Sequence, residues 1–339
     1  MNFGTYKGKK VNLYVLENDE LKVCLSDLGA TLVSFIDKKT GIDIVYGFDS
    51  AEGYETQHGS YIGATVGRTC NRTAKGKFTL NGKEYQVPVN NGPNSLHGGI
   101  EGFSFKIFDT EIKDNAIVFT YFSKDMEEGY PGNLTLTVEY KLCKNSLKFT
   151  WSAISDQDTI VSITNHAYFN CNGEGTILNH TLKINTDKVA LLDNDGMTTD
   201  QVIDVKGTAF DFTDEHVIYE KLEMGHENLL VANGYDHNYV YENFDVKEMA
   251  TLKGDTLQLD IISDCPDMHV YGGNFLDGEC KGKYGDYYQE KSAMCFECQY
   301  YPNSINYEGF IKPILKANER RTHFTEFVVT CHKEEEEFF

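Results

Sequence analysis

The 339-residue chain reads as an all-β protein on three observations. Apolar residues recur at every second position over several stretches, turn-forming glycine and asparagine separate those stretches, and few segments carry a helical period. Residues 78–80 and 85–87 flank Asn81-Gly82, a pair that tolerates the positive φ angles of a type I′ hairpin turn. Next, Leu134, Leu136, Val138, Tyr140 and Leu142 alternate with Thr135, Thr137, Glu139 and Lys141, the pattern of a half-buried strand. After a Lys144-Asn145-Ser146 turn the alternation resumes with Leu147, Phe149, Trp151 and Ala153, so the two runs form a hairpin. Residues 160–163 make an apolar-leaning run, and residues 214–222 carry the best of a weak set of helical patterns. Leu257, Leu259 and Ile261 supply a strand after the Gly254-Asp255 turn. In a final strand Met294, Phe296 and Cys298 share one face, and Cys295, Glu297 and Gln299 the other.

No repeat and no Pro/Gly/Ser-rich linker divides the chain, so residues 1–339 are expected to form one domain, with 333–339 a frayed acidic tail. Thirty-one Lys+Arg against 52 Asp+Glu give a net charge of −21, a field that repels polyphosphates and anionic lipid heads. Nucleic-acid and membrane partners are therefore not expected. No apolar stretch follows the polar first ten residues, and no run reaches the roughly 18 apolar residues of a membrane helix. Nine cysteines, an odd number spread over a chain large enough to fold without staples, point to free thiols and a cytoplasmic location.

Several residues could carry chemistry. Two of only four arginines, Arg68 and Arg72, fall in Gly67-Arg68-Thr69-Cys70-Asn71-Arg72. His97 sits in a glycine-rich turn, and His166 follows the 160–163 run. Asp236 lies among aromatic and polar side chains, a mixture suited to a sugar. Glu297 is the sharpest candidate, because a carboxylate with apolar neighbours on both sides has its pKa raised toward the working range of a general base. Cys295 and Cys298 lie three apart in a strand, point to opposite faces and cannot easily clasp one ion, so neither a metal nor a redox role is expected of them.

The order and wording of these segments carry more than any one of them. Gly63-Ala64-Thr65-Val66-Gly67-Arg68, Asn71-Arg72, Asn91-Gly92-Pro93-Asn94-Ser95-Leu96-His97-Gly98-Gly99, Asn165-His166-Ala167-Tyr168-Phe169-Asn170, Asp236-His237, Gly273-Asn274-Phe275-Leu276-Asp277-Gly278 and Phe296-Glu297-Cys298-Gln299 together closely resemble the aldose 1-epimerase (galactose mutarotase) family. The resemblance runs from about residue 28 to 327. It implies a β-supersandwich whose concave face holds a monosaccharide, no cofactor, and interconversion of the α and β anomers of a free hexose by ring opening and reclosure. By the family pattern Glu297 is the base, His166 the acid and His97 a second donor near the ring oxygen. Asn71, Arg72 and Asp236 hold sugar hydroxyls, and Phe275 presents an apolar face. The chain departs from the family's usual wording at Cys298, Asn303 and Gly272, and in lacking an arginine between residues 283 and 290.

Three other readings share some of these features. A hexose-6-phosphate epimerase needs several basic groups on the phosphate, which the scarcity of arginine opposes. A carbohydrate-binding protein of the same fold needs no acid/base pair. A glycoside hydrolase needs a second carboxylate, for which Asp236 is the nominee.

Overall fold

The computed structural model describes residues 1–56 and 58–332, so the expected acidic tail at 333–339 lies outside the described residues. Alternation of apolar and polar side chains places one face of each main strand inward, and two large antiparallel sheets meet on those faces. The first has nine strands, in the order Asp109–Ile112, Ala116–Ser123, Leu134–Leu142, Ser146–Ser155, Arg320–Cys331, Leu257–Ser263, Lys247–Lys253, Thr181–Ile184 and His216–Val217. The expected hairpin forms within it, with Val138 opposite Trp151 and Tyr140 opposite Phe149. The 81–82 turn has the positive φ values its sequence predicts, 51° at Asn81 and 77° at Gly82.

The second sheet orders Tyr168–Phe169, Met294–Gln299, Asp267–Tyr271, Asp236–Val240, Lys188–Leu192 and Thr198–Asp204. Met294, Phe296, Cys298, Met268, Val270 and Tyr239 enter the same core as Leu136, Val138, Phe149 and Trp151. Full burial of each large apolar side chain contributes about 1.5–3 kcal/mol, and this layer is what holds the sheets together. The opposite face of the second sheet is also buried, but it is polar. Cross-strand register sets Asn238, His269 and Glu297 in one row and Asp236, Tyr271 and Cys295 in the next. A four-stranded sheet, Asn2–Tyr6, Lys9–Glu17, Leu21–Ser26 and Thr31–Asp37, packs at the N-terminal side.

The helical expectation at 214–222 is corrected. The helix runs Ile218–Met224, because His216–Val217 is taken by the sheet edge, where it pairs with Thr181 and Leu182. Two further short helices, Ala51–Thr56 and Glu227–Val231, escape the sequence pattern; at five or six residues they are too short to show a period. Among the described residues no helix is long and apolar enough to cross a membrane.

Candidate active site

The two arginines of the 67–72 segment have separate tasks. Arg68 is 2% exposed and donates to the carbonyl oxygens of Pro131 (2.9 Å), Gly132 (2.9 Å), Lys124 (3.0 Å) and Ser123 (3.1 Å). Burial pushes its guanidinium down to about 10 while Glu127 opposes the shift, so it stays charged at neutral pH. It pins the segment that delivers Asn71 and Arg72 to a cleft. Arg72–Thr73 pairs with Ser95–Leu96, which brings the 97–99 turn alongside. That turn requires glycine at 98: φ is 87°, and a Cβ there would lie 1.9 Å from the Gly67 carbonyl oxygen.

His97, buried at 5% exposure, accepts the Asn71 backbone N–H at Nδ1 over 3.2 Å. The bond leaves the proton of the neutral ring on Nε2, which makes His97 a hydrogen-bond donor. Burial, with the charges of His166 and Arg72, holds its pKa well below the ordinary histidine value, so the ring stays neutral. His166 follows the strand Thr164–Asn165; its backbone N–H donates to the Ala64 carbonyl, and its ring stacks on Tyr168 at 5.1 Å.

Glu297 comes from the central polar row of the second sheet and is 1% exposed. Its Oε1 lies 3.6 Å from His166 Nε2, and its Oε2 has no protein partner among the described residues. Burial, reinforced by the charge of Asp236 and opposed by Arg72, raises its carboxyl well above the usual range. Burial pulls the His166 imidazole down to about 4, and the charge of His269 adds to the effect. Both shifts have one cause: removing charge from water favours the neutral pair over the ion pair. In the free cleft the shared proton therefore rests on Glu297, and its titration belongs to the pair.

Asp236 is the site's ionised carboxylate. Burial alone would raise it, but the hydrogen bond and charge of His269, with Arg72 and His237, hold it well below the usual carboxylate range. Its Oδ1 lies 2.7 Å from His269 Nε2 and its Oδ2 3.5 Å from Arg72 Nη1. Arg72 also donates from Nε to Asn91 Oδ1 at 3.0 Å. Phe275 stands at the mouth, 64% exposed, its ring facing Tyr271 at 6.4 Å.

Glu297, His166, His97, Asn71, Arg72, Asp236 and Phe275 all line this one cleft, whose volume of about 580 Å³ is within the range of small-molecule sites. Sequence reasoning missed His269, which lines the same cleft, is 1% exposed and stands opposite Glu297 in register. A signal was present: Asp267, His269 and Tyr271 alternate with Met268 and Val270 as Glu297 does with its neighbours.

His97, His166 and Glu297 each offer a ligand atom within 4.8 Å of the others. They fit a metal poorly. Nδ1 of His97 is already occupied and Nε2 carries the proton, so neither nitrogen offers a lone pair without a change of tautomer. A second group, Asp264, Cys265 and His323, lines no part of the cleft, and His323 is engaged with Asp264 at 3.3 Å and Tyr300 at 3.2 Å. Cys295 and Cys298 face opposite sides of their strand, Cys295 toward His166 and Cys298 into the core.

Comparison with known proteins agrees in fold and family. Residues 12–328 match the family model of aldose 1-epimerase. Galactose mutarotase of Bos taurus is 38% identical over 326 residues, which cover 94% of this chain and 93% of the bovine one. Aldose 1-epimerase of Escherichia coli (strain K12) is 31% identical over 333 residues, 94% of this chain and 95% of the bacterial one. Among solved structures, a GalM/aldose epimerase homologue from C. elegans superposes with a TM-score of 0.88 at 26% identity, covering 95% of this chain and all of that one. Galactose 1-epimerase from Lactobacillus acidophilus NCFM gives 0.87 at 26% identity, with 98% of each chain covered. The family match and the relatives alike span nearly the whole sequence, and the chain belongs to the aldose 1-epimerase family.

Proposed function

We propose that this chain interconverts the α and β anomers of a free neutral hexose such as galactose or glucose, with Glu297 as base and His166 as acid. The observation that carries the reading is the buried His166 Nε2 to Glu297 Oε1 approach of 3.6 Å, in a cleft that also holds Asp236, Arg72 and His97. Glu297 takes the proton of the anomeric hydroxyl, the C1–O1 electrons close to a carbonyl, the C1–O5 bond breaks, and O5 takes the proton from His166 Nε2. Rotation about C1–C2 turns the other carbonyl face to O5. On reclosure O5 returns its proton to His166, Glu297 returns one to O1, and the enzyme regains its starting state. His97 Nε2–H donates to the ring oxygen, while Asn71, Arg72 and Asp236 hold hydroxyls and Phe275 covers an apolar face of the sugar.

The burial of the pair supports this cycle. Protonated Glu297 beside neutral His166 is the state that accompanies the open-chain sugar, and it is the state burial favours. The ionised state that accompanies the closed ring gains its stabilisation from sugar hydroxyls donating to the carboxylate. Neither proton transfer uses a metal, so dialysis against EDTA is expected to leave the rate unchanged.

Among the described residues lining the cleft, Arg72 is the one arginine or lysine, and Asp236 and Asn91 engage it; this disfavours a phosphosugar. Asp236 is tied to His269 and Arg72, which suits hydroxyl binding better than the second carboxylate role of a hydrolase. We read the chain as working in one domain. We place the chain in the cytoplasm, on the free thiols of Cys24, Cys70, Cys295 and Cys298 among others. The test is polarimetry: protein added to freshly dissolved α-galactose or α-glucose is expected to accelerate the approach to the equilibrium rotation, and an unchanged approach would contradict the proposal.

A further inference from the structure

An imidazole that exchanges a proton through one nitrogen needs a partner on the other. If Nε2 of His166 gives its proton to the sugar while Nδ1 is bare, the product is an imidazolate, which is far too basic to form. Nδ1 must keep its hydrogen throughout, and something must accept it. Ring stacking on Tyr168 fixes the plane of the His166 ring but cannot choose between its nitrogens. Besides the residue's own backbone carbonyl, whose hydrogen bond to the ring favours the protonated form, the partner within reach of Nδ1 is Sγ of Cys295, at 3.5 Å. Cys295 precedes Glu297 by two residues on the same strand, so alternation points both side chains to the same face of the sheet, Glu297 into the cleft and Cys295 behind the His166 ring. The base and the partner of the acid are thus set by one segment of backbone.

We infer that Cys295 is a positioning residue for His166: its thiol sulfur accepts Nδ1–H and so commits Nε2 to the proton exchange with Glu297 and the sugar. This inference rests on the acid role of His166 proposed above. The choice of sulfur has a chemical consequence. A carboxylate at this place would stabilise the imidazolium and make His166 a stronger base; a neutral thiol is a weak acceptor, orients the ring and leaves the imidazolium acidic enough to protonate a ring oxygen. Cys295 is fully buried, and burial together with the charge of Asp236 keeps it in the thiol form.

The experiment is long-range ¹H–¹⁵N NMR of the full chain labelled at histidine, near neutral pH and without sugar. His166 is assigned by the signal lost in His166→Asn. The expected result is a neutral ring with hydrogen on Nδ1. Cys295→Ala is expected to mix the tautomers and lower kcat roughly 2- to 10-fold, the worth of one ordinary neutral hydrogen bond, with KM unchanged, and Cys295→Ser to restore both signals. Hydrogen found on Nε2 in the unmodified chain overturns the inference, as does a Cys295→Ala protein with unchanged tautomer and kcat. Should Cys295→Ala not fold, the spectrum of the unmodified chain decides alone. Failure of the acid role is read separately, as full mutarotase activity in His166→Asn.

Discussion

Asp236→Asn keeps the size of the side chain and removes its charge, and three consequences can be worked from the site. The Asp236 side chain is 11% exposed and faces Arg72 Nη1 at 3.5 Å and His269 Nε2 at 2.7 Å. Removing one partner of a buried ion pair costs about 3–5 kcal/mol; because the Arg72 side chain is 13% exposed and keeps Asn91, the lower end, about 3 kcal/mol, is expected. Sugar binding loses a charge-assisted hydrogen bond of about 1.5–3 kcal/mol and keeps a neutral one of about 1, a net loss of roughly 0.5–2 kcal/mol or 2- to 30-fold in Kd. The third effect is on Glu297, whose carboxyl is held up first by burial and then by the charge of Asp236. With that charge gone Glu297 holds a proton less tightly, so at saturating sugar, where the pair is ionised and the acid limb of the rate–pH profile is protonation of the carboxylate, that limb moves to lower pH. Polarimetry of fresh α-galactose from acid to alkaline pH reads the limb, and calorimetric titration with the sugar reads Kd. Unchanged binding would show that Asp236 does not hold the sugar, and an acid limb that stays in place or moves upward would show that its charge does not raise Glu297.

Arg68→Lys is expected to destabilise the fold by roughly 1.5–3 kcal/mol, since an ammonium has three donors and at least one of the four charged hydrogen bonds to the 123–132 carbonyls is lost; a change under about 0.5 kcal/mol in urea unfolding contradicts it. Stability is expected to fall as pH drops from about 6.5 to 4. Burial holds His166 and His180 at about 4 and His237 at about 3, so the unfolded chain takes up protons that the folded one refuses; each of the first two costs about 3 kcal/mol by pH 4. Urea midpoints that stay level between pH 7 and 4.5 would argue against this. Neutral hexoses are expected to turn over faster than their 6-phosphates, with added salt narrowing the gap only in part because, among the described residues lining the cleft, the one arginine or lysine, Arg72, is engaged by Asp236 and Asn91; equal efficiency on glucose 6-phosphate would reverse the substrate reading.

What was legible in the sequence followed from local periodicity. Alternation in Met294–Gln299 separates core residues from site residues whatever the strand pairs with, and the hairpins at 81–82 and 144–146 are set by short turns. The assembly of residues 71, 97, 166, 236 and 297 in one cleft follows from no spacing and came through family resemblance. His269 went unread because its meaning depends on Asp236, 33 residues away across a strand pair. Arg68 and Arg72 look alike in sequence; burial by the 123–132 carbonyls makes one a support while its neighbour reaches the cleft. The resting place of the proton on Glu297 depends on desolvation of the whole site, which one strand does not reveal.

The proposed cycle, in which Glu297 and His166 move protons together, is read most plainly by polarimetry on Glu297→Gln, with sugar binding recorded on the same protein. The expected outcome is a catalysed rate lower by roughly 10²- to 10⁴-fold with binding retained, and a Glu297→Gln, His166→Asn double variant that loses much less than the product of the single losses. A Glu297→Gln protein that binds sugar and keeps near wild-type turnover would contradict the account.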